Sequence, residues 1–271
     1  MRAMDFTTKD RYDVNDLQRI MALLRGEGGC PWDREQTHAS IRKNLIEEAY
    51  EAAEAIDQND MALLREELGD VLLQVVFHAQ MEDEQGSFTL NDVADEVCRK
   101  LILRHPHVFG DVQADTADKV LENWDAIKKQ SKGQETFTDT LRSVPRVLPA
   151  LMRAQKIGHR AARAGMDHRD AAEALRDLRA EVDELAEAME QGIDTRIRDE
   201  LGDVLFSCAN IARHLHMDAE EALGASAEKF MERFARVEQR ASEENLDMKA
   251  LDPAALYKLW QRAKEEDTTS V

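Results

Sequence analysis

Residues Glu47 to Asp70 read EEAYEAAEAIDQNDMALLREELGD. Glu48 and Glu51 are three apart, as are Glu67 and Asp70, so each pair shares one helix face. Between the pairs, Asp57-Gln58-Asn59-Asp60 is a cluster of turn formers. The pattern predicts two antiparallel helices whose carboxylates converge across a hairpin. Four acids so placed repel one another unless a cation sits among them. Hard oxygen donors of this kind suit Mg2+, with Mn2+ as a substitute.

The chain makes this hairpin twice. Glu67-Leu68-Gly69-Asp70-Val71-Leu72 recurs unchanged as Glu200-Leu201-Gly202-Asp203-Val204-Leu205, 133 residues further on. The same offset carries Glu48 to Glu181 and Glu51 to Glu184. With loop-length changes, Lys100-x3-Arg104 matches Lys229-x3-Arg233, and Trp124-x3-Lys128 matches Trp260-x3-Lys264. So long a period indicates a duplicated helical domain rather than a solenoid. The expected division is a first domain over residues 1–130, a linker over 131–145 and a second domain over 146–271. A glycine inside a helix costs about 1 kcal/mol against alanine. Gly69 and Gly202 are therefore expected to serve close helix packing or ligand approach. Asp70 and Asp203 each precede an apolar run, which places them near the buried side.

Composition agrees with an all-α fold: aromatics are 5%, and 271 residues include only 5 Pro and 12 Gly. A net charge of -19 excludes a general binder of nucleic acid or anionic membrane. A phosphorylated small molecule can still bind where metal ions and local cations offset the repulsion. Cys30, Cys98 and Cys208 form no metal or disulfide pattern, as in a reducing compartment. The first residues lack a signal-peptide apolar run, and Val71 to Ala79 is too short to span a bilayer. A soluble, cytoplasmic protein is expected.

Apolar periodicity predicts helices over 14–24, from Thr37 through the first acidic pair, and over 61–81, 90–104, 116–129, 171–189, 196–214 and 219–242, with a last one from Pro253. On the 61–81 helix, Leu64, Leu68, Val71, Leu72 and Val75 form the expected buried face. Cys30-Pro31-Trp32-Asp33 reads as a turn, Glu82 to Phe88 as a polar loop, His105 to Gly110 as a loop and Ser131 to Thr140 as a polar connection.

A single glutamate on a helix belongs to a solvated face; four acids repeated at fixed spacing beside a glycine indicate a metal site. Lys229 and Arg233 project from one helix face and would clamp a polyphosphate, the arginine as a fork and the lysine as a point charge. Trp260, four before Lys264, is either a core residue or a platform for a nucleobase. Glu35-x-x-His38 has the spacing of di-iron bundles, but the second half has no equivalent. Walker, GxGxxG, GxSxG and CxxC motifs are absent from the sequence.

Cys30-Pro31-Trp32-Asp33, the Glu47-Glu48-Ala49-Tyr50-Glu51 block and Glu67-Leu68-Gly69-Asp70 resemble the MazG family of nucleoside triphosphate pyrophosphohydrolases. Glu181-x-x-Glu184, Glu200-x-x-Asp203 and Lys229-Phe230-x-x-Arg233-Phe234 extend the resemblance over nearly the whole chain. It implies tandem all-α bundles, a homodimer, and Mg2+-dependent cleavage of nucleoside triphosphates to monophosphate and pyrophosphate. It also implies that the second half holds the main active site. Glu181, Glu184, Glu200 and Asp203 would then bind Mg2+ and carry catalysis, with Glu48, Glu51, Glu67 and Asp70 as a second metal set. Arg196, Ile197, Arg198, Asp199, Lys229, Arg233 and Trp260, with Lys264 beside it, would contact nucleotide. Two positions depart from the pattern: Ala180 stands where the first copy has Glu47, and Pro106 ends the helix of Lys100 and Arg104. The rival readings are a helical interaction module with decayed nucleotide sites, and a polyphosphate or nucleotide-diphosphate hydrolase.

Overall fold

Thr37 and Asp60 set the first hairpin. In a computed structural model, which describes residues 6–112, 116, 119, 120, 124, 127 and 135–268, each caps a helix. The Thr37 hydroxyl accepts from the Ser40 amide, and the Asp60 carboxylate accepts from the amides of Ala62 and Leu63. Among the described residues all regular structure is helical, and no described helix is long and apolar enough to cross a membrane. The chain divides into two compact units, Met1–Lys128 and Lys129–Val271.

In the first unit, α1 (Val14–Arg25) leads to a one-turn α2 (Pro31–Glu35), where the sequence suggested only a turn. Pro31 at its first position is preset for helix. Next come α3 (His38–Asp57), α4 (Met61–Gln85), α5 (Leu90–Arg104) and the one-turn α6 (Pro106–Phe109), which lies in the expected loop. Helix α4 runs a full turn past its expected end. Charged residues of that turn bond to other helices: Arg25 grips Glu84 through two 2.8 Å hydrogen bonds, and His38 meets Glu82 at 2.7 Å. The core is Met21, Ile41, Val76, Phe77 and Met81, with Leu17, Leu72, Leu73 and Leu90 against it. It therefore lies on the second half of α4, where α1 and the start of α5 cover it. Leu68, expected on the buried face, is 54% exposed on the first half, beyond that cover. The helix expected over 116–129 falls largely on residues outside those described.

In the second unit, α7 (Phe137–Arg142) occupies part of the stretch read as a polar linker. A reciprocal cap between Thr136 and Asp139 makes it, not an apolar period. Residues 131–134 of that linker lie outside the described ones. Helix α8 (Ala150–Arg163) was not anticipated. The second hairpin follows as α9 (Ala171–Gln191) and α10 (Asp194–His214), then α11 (Ala219–Glu243), a short 3-10 turn and α12 (Pro253–Thr268). Gly192, at φ 67°, closes α9; Asn59, at φ 53°, occupies the same repeat position in the first hairpin. Ile193, however, gives α10 no side-chain cap. Gln155 ties α8 to the start of α11, donating to the Met217 carbonyl at 2.7 Å and accepting from the Ala219 amide at 2.9 Å. Val237, Ala241, Leu259 and Ala263 form the core between α11 and α12.

Candidate active site

Helical spacing puts Glu48 and Glu51 of α3 on the face that meets Glu67 of α4. One carboxylate oxygen from each lies within 4.8 Å of the others. Glu181 and Glu184 of α9 meet Glu200 of α10 in the same way, again within 4.8 Å. Each charge pair at such range repels by about 1 kcal/mol even at the dielectric of water. The carboxyl groups respond. Glu48 is pushed above the usual carboxylate range by burial, then by Asp70, Glu51, Glu67 and Glu47. Glu181 is pushed up by burial, then by Asp203, Glu184, Glu200 and Asp177. Glu67 rises through burial and the charges of Glu51 and Asp70, and shares a hydrogen bond with Glu51. Three converging carboxylates under this strain are an all-oxygen donor set that fits a hard divalent cation.

Asp70 and Asp203 stand outside the two triples, yet each is the leading charge acting on its Glu48 or Glu181. Asp70 is half-buried. Asp203 is exposed, against expectation, because Leu201, Gly202 and Leu205 on the same stretch of α10 are also left uncovered in the unit. The glycines correct a second expectation. A Cβ at Gly69 or Gly202 would meet nothing within 4 Å, so packing within the chain does not demand either one. Gly202 lines an open groove of about 490 Å³ with Leu205, Phe206 and Leu223.

Arg196 to Asp199 run from the first into the second turn of α10, just before Glu200. Arg196 is half-buried, with Nη1 donating to Gln191 Oε1 at 2.7 Å and Nη2 reaching Glu200 Oε1 at 3.5 Å. Ile197 is half-buried, and Arg198 and Asp199 are exposed. Lys229, exposed, and Arg233 lie on α11. Phe230, between them, stacks on Phe234 at 6.4 Å and tilts against Trp260 of α12 at 4.9 Å between ring centroids. Trp260 also packs against the α11–α12 core, the first of the two roles that sequence left open. Lys264 is exposed one turn on. In the first unit α5 does stop at Arg104, whose guanidinium sits 5.6 Å from the Trp124 ring centroid. Lys128, the partner expected for Trp124, lies outside the described residues.

The family model for the MazG nucleotide pyrophosphohydrolase domain matches twice, over residues 36–109 and 170–237. Each match contains one acidic hairpin. The chain belongs to the MazG family. Relatives named nucleoside triphosphate pyrophosphohydrolase include one from Escherichia coli, 40% identical over 94% of this chain and 99% of its own length. A Thermotoga maritima relative, named nucleoside triphosphate pyrophosphohydrolase/pyrophosphatase MazG, is 41% identical over 94% of this chain and 96% of its own. One from Mycobacterium tuberculosis is 41% identical over 56% of this chain and 45% of its own.

A third cluster, partly outside the MazG segments, escaped sequence reading. Asp167, His168 and His214 each offer an atom within 4.8 Å of the others. A cation is already built in. Arg213, 9% exposed, donates to both Asp167 oxygens and to Asn210 Oδ1, and lies 3.0 Å from His214 Nε2. With its oxygen so engaged, Asn210 presents its amide N–H to His168 Nδ1 at 2.9 Å. The other ring nitrogen of His168, Nε2, lies 2.6 Å from Asp177 Oδ2. Arg213 holds the Asp167 carboxyl below its usual range. The cluster locks the α8–α9 loop to α10 around the Arg213 guanidinium. In the first unit, His38 faces Glu82 and His78, not Glu35. The His38 and His78 Nδ1 atoms are 2.6 Å apart, with ring planes only 3° apart and centroids 4.9 Å apart. The rings therefore meet edge to edge through a hydrogen bond rather than face to face. Burial and His38 push His78 below its usual range.

Proposed function

We propose that this chain hydrolyses nucleoside triphosphates between the α- and β-phosphates, giving monophosphate and pyrophosphate, with Mg2+ and with its main site in the second hairpin. The observation that carries this reading is the paired triples of carboxylates, three of whose members, Glu48, Glu67 and Glu181, are pushed toward protonation by burial and by their neighbours. Glu181, Glu184, Glu200 and Asp203 would hold Mg2+; Glu48, Glu51, Glu67 and Asp70 would hold a second portion. Mg2+ when bound supplies neutralisation of the phosphate charge and activation of the attacking water, with Mn2+ able to stand in. Lys229 and Arg233 would hold the β- and γ-phosphates, and Arg196 to Asp199 would line the phosphate path. Trp260, backed by Phe230, would stack on the base with Lys264 at its edge. Glu181 or Glu184 would take the proton from water.

The two units would be duplicate domains, over 1–130 and 146–271, joined through 131–145. The exposed Leu201, Leu205, Phe206 and Leu223 around the groove support a homodimer that covers this face. The acidic charge argues against nucleic acid or membrane as partner, and the unpaired cysteines favour the cytoplasm. Incubation of the full chain with each triphosphate and Mg2+ tests the reading. Monophosphate and pyrophosphate are expected, and Asp203→Asn should all but stop their release without unfolding the chain. Release of inorganic phosphate alone, or wild-type rates in that variant, would defeat it. No turnover at all would favour an interaction module.

A further inference from the structure

The two acidic triples are alike in their acids and unlike in their cations. Arg196 reaches Glu200 in the second copy, while the same repeat position in the first copy is Leu63. Gln191, which accepts a 2.7 Å hydrogen bond from Arg196, corresponds to Gln58. Having no arginine to hold, Gln58 turns back on its own helix and donates to Glu54 at 2.9 Å. The first copy also keeps Glu47, which adds to the load on Glu48, where the second has Ala180. Asp177 is an extra acid near Glu181, where the first copy has Asn44, and it offsets the second copy's lack of Glu47, so the cation is what distinguishes the two. Arg65 and Arg198 are common to both copies and cancel in the comparison. Among the described residues the second triple thus has an arginine in ion-pair contact and the first has none.

We infer that Arg196 is a built-in counter-ion of the second triple, so that the first site takes up a divalent cation without nucleotide while the second takes one up well only with a polyphosphate present. The inference rests on the acids being metal ligands, as proposed above. Arg196 is bound to Gln191 by one short hydrogen bond and to Glu200 by a long one, so a phosphate oxygen can draw it off Glu200. The missing side-chain cap at Ile193 leaves the turn that carries it free to adjust. Arg196 would then work as a positioning residue that couples occupancy of the acids to the arrival of substrate.

The test is Mn2+ binding to the full chain, read from the electron paramagnetic resonance of free ion, with circular dichroism to confirm folding. Without nucleotide, two classes of site are expected: a tighter one lost in Asp70→Asn and a weaker one lost in Asp203→Asn. A unit charge near a divalent ion at close to the dielectric of water changes affinity about tenfold. Arg196→Leu should therefore tighten the weaker class by about that factor, and Leu63→Arg should weaken the tighter one. A non-hydrolysable triphosphate should tighten the weaker class in wild type and do so less in Arg196→Leu. Equal affinities in wild type, or a weaker class unmoved by Arg196→Leu, would overturn the inference. Absence of Mn2+ binding at both clusters would overturn the metal-ligand reading and the inference with it, whatever the turnover assay gives.

Discussion

The α3–α4 and α9–α10 hairpins place the same three glutamates within the same 4.8 Å. Both close their turns with a left-handed residue at one shared register, Asn59 and Gly192. Their differences lie one turn away. The first hairpin has Asp60 as a cap, Leu63 and Glu47; the second has Ile193, Arg196 and Ala180. What is common makes a cradle for a cation. What differs would, on the inference above, decide how that cradle meets an anionic substrate. A duplicated fold can hold one coordination geometry constant while its surroundings diverge.

The sharpest way to break this comparison is turnover. Asp203→Asn is expected to lower kcat by about 10²–10³-fold, the scale for losing one electrostatic stabiliser of a transition state. Asp70→Asn should leave most of the rate. Equal losses would put the two sites on the same footing. Stability comes next. Arg213→Met strands Asp167 and Asn210, and with Asp167 partly exposed the second unit should lose about 2–3 kcal/mol in urea unfolding. A fluorescence transition followed through Trp32 of the first unit should stay in place. Loss of both transitions together would show that the units unfold as one.

Metal and pH sharpen the comparison further. Glu48, Glu67 and Glu181 have raised pKa values when folded. Just above the ordinary carboxylate range the folded chain therefore holds protons that the unfolded chain has released, and stability falls as pH rises through the raised values. A bound cation relieves the same repulsion. Mg2+ should raise Tm by a few degrees at pH 7.5 and by less at pH 5, checked by scanning calorimetry. An equal rise at both would detach the effect from these acids. The smallest effect expected is Gly69→Ala, which gains about 0.5–1 kcal/mol of helix stability because nothing stands in the way of the new methyl. Gly202→Ala should match it in a monomer. A loss at Gly202 alone, measured by denaturant unfolding, would show a second copy pressed against α10.

Much of this was legible in the sequence because local chemistry encoded it. Thr37, Asp60 and Gly192 mark helix ends by type, and the acids mark a face by spacing. Helix α8 was not predicted because it carries few large apolar residues among Arg153, Gln155, Lys156 and Arg160. The last turn of α4 was missed because Arg25 and His38 hold it from distant parts of the chain. The lock of Asp167, His168 and His214 joins a loop to the far end of α10, and no spacing rule connects them. The Arg196–Glu200 contact, by contrast, has ordinary i,i+4 spacing and was open to reading from the repeat itself.

The bare amides at the start of α10 carry one last implication. Asp60 staples the opening turn of α4, but Ile193 gives α10 no such staple. Residues 194–197 can fray on a microsecond or faster timescale while Glu200, a turn further in, keeps its station. Recognition and coordination, as proposed for Arg196 and Glu200, would thus sit on one rod with a loose tip and a stiff shaft, and omitting one capping oxygen would separate the two tempos.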